Sequence, residues 1–293
     1  MTRLLKVLLN GNILTARSIR SISVIAIAGL SLGIAASPRL AHAADVYYTL
    51  SYPTRPIARV LAITVSDDEI TTTDIGSTGV PGCASLAMSK WGLLYSMCGP
   101  LFGAQRLTTI DLTTGHGTMF GTPVKGLAVM AMAFSPDGTL YAVGDCSPAP
   151  VTFECGGGGD ATYNSLYTVD VSTGAFTLVG STGAPQFFMD LAFDRHGNLF
   201  GVTTTFNPSY VPAILYGLDP ATGAATKVVN LVGSSQVMGL AFGKHGKLYG
   251  TDFMANPGLY LIDTKTGFER AIAALPPGPS TGFELVSRHD DDD

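Results

Sequence analysis

Apolar and polar residues alternate along this chain in short runs, and the runs recur. Four stretches carry a short apolar strand, a tight turn ending in Gly, and then Leu-Tyr or Leu-Phe: Leu86-Ala87-Met88 to Leu94-Tyr95, Met132-Ala133-Phe134 to Leu140-Tyr141, Leu191-Ala192-Phe193 to Leu199-Phe200, and Leu240-Ala241-Phe242 to Leu248-Tyr249. The turn glycines Gly92, Gly138, Gly197 and Gly246 lie 46, 59 and 49 residues apart. A period of that length signals repeated structural units. A second hairpin follows each first one, built around an Asp and a Thr-Gly: Asp111 to Gly115, Asp170 to Gly174, Asp219 to Gly223 and Asp263 to Gly267. Asp accepts hydrogen bonds from backbone amides just beyond it, and Gly supplies the positive-φ position of the turn.

Each repeat therefore holds four short strands, a to d, with turn signals between them, which is one blade of a β-propeller. Blades are expected at 83–121, 129–180, 188–230 and 237–273. A fifth is expected from the leftovers, with Val46–Thr49 as strand b, Ala58–Ile63 as c and Ile70–Ile75 as d. Its innermost strand would come from Gly282–Val286, so that strands from both ends of the chain close the ring and remove exposed edges. The expected fold class is all-β, a five-bladed propeller of four-stranded blades, with six blades the alternative if a long loop hides strands.

The ends read differently. Arg3, Lys6, Arg17 and Arg20 precede an apolar run from Ile22 to Ala36, and Ala41-His42-Ala43 resembles a small-residue cleavage site. This is the layout of a secretory signal peptide over 1–43, with a retained membrane anchor as the alternative; 44–287 would form the propeller and 288–293 an acidic tail. Removing 1–43 takes five of the 17 basic residues and none of the 22 acidic ones, which leaves a net charge of −10. Such a surface repels phosphate backbones, so nucleic acid is not an expected partner. The expected product is a monomeric secreted or periplasmic protein with no stable membrane insertion after processing.

Four cysteines in an exported chain point to two disulfides. A four-residue turn Ser89–Gly92 would set Met88 opposite Leu93, and counting outward brings Cys83 opposite Cys98. Cys146 and Cys155 share one loop and form the second expected pair; the alternative role for the cysteines is metal ligation.

Loop lengths separate the two faces of the ring. The a–b and c–d turns are short and regular, whereas the b–c loops (96–105, 144–165, 202–213, 251–257) vary widely. Variable loops on a rigid scaffold are where binding usually resides, so the variable-loop face is the candidate surface for a protein or small-molecule ligand. His196 and His245 occupy the turn position that Asp137 and Trp91 fill in other repeats, a structural role that leaves the variable face without a histidine. Asp111, Asp170, Asp219 and Asp263 are likewise turn residues. The carboxylates that break the pattern are Asp190 and Glu284 on innermost strands, Asp145 and Asp252 just after strands b, and Glu154 and Asp160 in the long loop. Asp190 and Glu284 are the candidate metal ligands, for Ca2+ or Mg2+. The bland alternative for Asp190 is a buried carboxylate held by loop amides. Asp190 and Asp252, together with the loop aromatics Phe187, Phe188, Phe206 and Phe253, make up the candidate ligand-binding set.

The Ala-Phe…Asp-Gly-x-Leu-Tyr hairpin at Ala133–Tyr141 and the Leu-Tyr-x-x-Asp…Thr-Gly hairpin at Leu215–Gly223 resemble the secreted bacterial β-propellers of the YVTN/NHL-like type. The shared motifs are those of the scaffold. Gluconolactonase-like and streptogramin-lyase-like propellers share such hairpins and use metal-bound central sites. Two functions are therefore expected: a non-enzymatic exported propeller that binds a protein or ligand through its variable face, or a metal-dependent hydrolase or lyase working through the central carboxylates.

Overall fold

The computed structural model describes residues 44–66, 69–101, 103–146, 164–204, 212–233, 236–243, 245–253 and 257–286. Phe206, Glu154, Asp160 and the Cys146–Cys155 pairing lie outside what is described, Cys146 being placed by its backbone alone.

Twenty strands run in order. The chain opens with β1 (Asp45–Ser51), β2 (Ile57–Val65) and β3 (Ile70–Pro81). The second blade is β4 (Ala87–Met88), β5 (Leu94–Cys98), β6 (Ala104–Ile110) and β7 (Gly117–Lys125). The third is β8 (Leu127–Phe134), β9 (Leu140–Cys146), β10 (Ser165–Asp170) and β11 (Ala175–Ser181). The fourth is β12 (Phe187–Phe193), β13 (Leu199–Thr204), β14 (Ile214–Leu218) and β15 (Ala225–Asn230). The fifth is β16 (Val237–Phe242), β17 (Leu248–Asp252), β18 (Gly258–Ile262) and β19 (Glu269–Ala274), and β20 (Ser280–Leu285) returns to pair with β1. The sheets are β20-β1-β2-β3 and four consecutive antiparallel quartets, which makes a five-bladed propeller closed by strands from the two ends of the described chain.

The repeat signatures have a packing explanation. Five hydrophobic clusters sit between successive blades, the last joining Tyr47, Ile63 and Phe283 of the first blade to Ala241, Tyr249 and Leu259 of the fifth. In three of the four Leu-Tyr/Phe motifs the aromatic leans on the Phe that ends the next blade's innermost strand, and in the fourth Tyr249 leans on Tyr47. Tyr95–Phe134, Tyr141–Phe193 and Phe200–Phe242 meet at 5.5, 5.6 and 5.3 Å between ring centroids, within the range of favourable tilted pairs. Inner strands, covered by blades on both sides, are almost wholly buried; outer strands such as β11 and β15 face solvent. The Thr-Gly turns also dock across blades. Thr122 N–H donates to the Thr173 carbonyl at 2.9 Å, and Gly180 on β11 lies against the Thr222 carbonyl so closely that a Cβ there would collide with it. The turn aspartates act as their spacing predicts. Asp111 Oδ1 accepts from the Thr113 and Thr114 amides, which holds its carboxyl below the usual range.

The structure joins Cys83 to Cys98, but by a different register from the one counted along the sequence. Met88 pairs with Leu94, not Leu93. Ser89 N–H donates to the Leu93 carbonyl and Gly92 N–H to the Ser89 carbonyl, so the turn takes in one more residue. The offset is undone further along the hairpin, where Ala84 N–H donates to the Met97 carbonyl. The same correction appears as β-bulges at Met130, Met189, Met238 and Gly282, each adding one residue to the innermost strand and re-aiming its side chains.

Candidate functional site

The innermost strands line a central channel, and their inward edges carry backbone groups with no neighbouring strand. Asp190 on β12 fills that need at the waist. Its Oδ1 accepts from the Leu191 amide at 3.0 Å, and Oδ2 accepts from Leu240 of β16 at 2.8 Å and Phe283 of β20 at 3.0 Å. One carboxyl thereby ties three blades together. The donors belong to strands rather than loops. Asp190 is fully buried, and burial, reinforced by nearby Glu284, pushes its pKa well above the ordinary carboxylate value against the pull of the three amides. Asp190 lines neither of the two cavities that open at the channel ends.

The first cavity, about 390 Å³, opens on the variable-loop face. The bulged positions build its inner wall, with Ala84, Met130 and Met238 from three different blades. Tyr52, Leu101 and Phe253 complete it from the b–c loops. The Tyr52 hydroxyl donates to the Cys83 carbonyl, which anchors the ring beside the disulfide. The Arg55 guanidinium stands 4.9 Å from the Phe253 ring centroid, a cation–π arrangement. The walls are apolar and one cation sits at the rim. No His, Asp or Glu stands among the described residues that line it.

The second cavity, about 370 Å³, opens on the face of the regular turns. Glu284 of β20 reaches it, between Phe134, Phe193 and Phe242, with Lys90 and Arg195 from the a–b turns. Burial raises the Glu284 carboxyl to about 8, opposed by the amides of Leu285 and Met88.

The candidate residues thus separate. Phe253 lines the variable-face mouth. Phe187 packs against the core between the fourth and fifth blades, and Phe188 is buried against Tyr216, with ring centroids 5.7 Å apart. Asp252 is buried and accepts from the Gly258 amide and the Tyr260 hydroxyl, both at 2.9 Å, which shapes its b–c loop. Among the described residues no three His, Cys, Asp or Glu side chains gather closely enough to hold a metal ion. Sequence reasoning missed Tyr52, Arg55, Leu101, Met130 and Met238. A signal for the methionines was present, since Met130, Met189 and Met238 all stand two residues before the Met/Leu-Ala-Phe motif.

The chain matches no family model and no curated protein. Among solved structures it is similar to the PQQ-bound aldose sugar dehydrogenase from Streptomyces coelicolor, at 18% identity and a TM-score of 0.48, over 71% of this chain and 72% of that one. It is similar to TolB from Acinetobacter baumannii at 15% identity and a TM-score of 0.46, over 83% and 66% of the two chains. It is also similar to a gluconolactonase from Xanthomonas campestris, at 13% identity and a TM-score of 0.45, over 82% and 79%. A likeness at this level concerns architecture, and one architecture hosts many functions.

Proposed function

We propose that this protein is an exported, non-enzymatic binding propeller whose ligand seats in the variable-face mouth. The observation that carries the reading is the composition of that mouth, a concave apolar wall of bulge-presented Ala84, Met130 and Met238 facing the loop side chains Tyr52, Leu101 and Phe253. Such a lining gains by removing apolar surface from water, and methionines adapt to the shape placed on them. Arg55 contributes orientation through charge. The lining residues offer contact and no proton relay: the Tyr52 hydroxyl is committed to a carbonyl and Cys83 is oxidised. The ligand class that fits is a small apolar molecule or an apolar side chain of a protein partner. Export is supported by the Cys83–Cys98 disulfide, a bond that persists in oxidising compartments.

The test is to replace Leu101, which is 44% exposed at the rim, and to titrate wild type and variant with an apolar fluorescent dye. Leu101→Arg places a second cation in the mouth and should weaken dye binding by roughly tenfold, the cost of losing one apolar contact surface, with thermal stability unchanged. Equal dye affinity in the two proteins would remove the reading.

A further inference from the structure

The opposite mouth has features that the scaffold does not require. Five equivalent positions on the innermost strands, each opposite the aromatic of a Leu-Tyr/Phe or of Tyr47-Tyr48, are Ala87, Ala133, Ala192, Ala241 and Glu284; four are small and apolar and the fifth is a carboxyl. Glu284 stands where the other blades carry alanine, on the one strand that closes the ring, and the same cavity receives Lys90 and Arg195 at its rim. Its walls are Phe134, Phe193 and Phe242, one from each of three successive blades. Glu284 meets the Leu285 and Met88 amides, and the apolar funnel with cations above it adds a chemical pattern that those two bonds do not call for.

We propose that the turn-face mouth is a second binding site, taking a small organic carboxylate whose apolar body lies among the three phenylalanines and whose head pairs with the Glu284 carboxyl. In this pairing Glu284 donates its O–H to the ligand carboxylate, a charge-assisted bond of the stronger kind, and Lys90 and Arg195 balance the ligand's charge. Burial supports it by holding the Glu284 proton up to about 8. The other charged groups around the funnel leave this balance in place. Asp194 is committed to the His196 and Asn198 amides and the Asn198 side chain. Asp45, behind Gly243, accepts from the Tyr47 hydroxyl. Asp137 holds the Ser135 hydroxyl and the Thr139 amide. Asp190 lies beneath, bonded to three amides, and it is Asp190 whose carboxyl is raised by burial and by nearby Glu284.

The experiment is calorimetric titration of the folded protein with hexanoate, and with hexylamine as the opposite-charge probe, at about pH 6 and about pH 10. Because the bound form needs a proton on Glu284, hexanoate affinity should fall by about tenfold per pH unit above the Glu284 pKa. Glu284→Gln keeps an N–H donor that does not titrate, so its affinity should be retained at about pH 10. Arg195→Ala, a surface change, should weaken hexanoate several-fold even if the Glu284 variant folds poorly. Arg55→Ala, at the other mouth, should leave binding unchanged. The proposal is overturned by pH-independent hexanoate affinity in the wild type, by no binding at about pH 6, by sensitivity to Arg55→Ala instead of Arg195→Ala, or by hexylamine binding in its place.

Discussion

Asp190 shows how a single residue carries information that the repeat lacks. Its equivalents in the three other blades built from consecutive strands are Ser85, Ala131 and Gly239, none of which can accept three amides. Its charge-bearing side chain stands out in the sequence, which is why it reads as a ligand for metal or substrate. The structure spends its oxygens on Leu191, Leu240 and Phe283. Asp190→Ala would leave those buried donors unpaired, so the expected result is a loss of about 2–4 kcal/mol of stability, read as a lowered midpoint in urea unfolding. A variant as stable as wild type would show that water takes over the amides and that the clasp is dispensable.

Blade-to-blade docking sets the second scale. The Thr-Gly turn of one blade is held against the outer strand of the blade before it, as in Thr122 to Thr173 and Gly180 to Thr222. Gly180 has no Cβ to hold the neighbouring carbonyl away, and backbone atoms on both sides cannot shift cheaply. Gly180→Ala is therefore expected to cost about 2 kcal/mol, a value typical of steric conflict in a packed interface, with thermal unfolding as the measurement. Gly217→Ala is the matched control, since a Cβ there meets only the Val228 side chain at an ordinary 3.8 Å.

At the scale of the molecule, closure is the decisive event. β20 buries Phe283 against Tyr47, with ring centroids 4.8 Å apart, and supplies two of the groups just discussed, the Phe283 amide and Glu284. A chain truncated before Ser280 would leave the edge of β1 open and the last inter-blade core half-formed. Open edges pair with other chains, so the expected outcome is soluble aggregate in size-exclusion chromatography and loss of a single cooperative unfolding transition. A monomeric, cooperatively folded truncation would show that four blades and a remnant suffice.

The amino-acid sequence by itself determined the blade count, the strand order within blades, the turn aspartates and the closure of the ring by strands from both ends. The reason is that these follow from local periodicity and turn chemistry repeated several times over, so that each copy corroborates the others. The disulfide partners were legible too, although their register was not: a five-residue turn and a compensating bulge cancel, and neither leaves a local signature at Cys83 or Cys98. The site depended on tertiary structure. Whether an aromatic such as Phe188 enters a core or, like Phe253, a channel mouth depends on which blade lies beside it. Tyr52, Arg55, Leu101, Met130 and Met238 come from four blades and meet only because the ring closes. The separation of Asp190 from Glu284 has the same origin. They share innermost strands in sequence, but Asp190 sits opposite Val202 and Glu284 opposite Tyr48, nearer the turn end of its strand, which sets one carboxyl at the waist and the other in the opposite mouth.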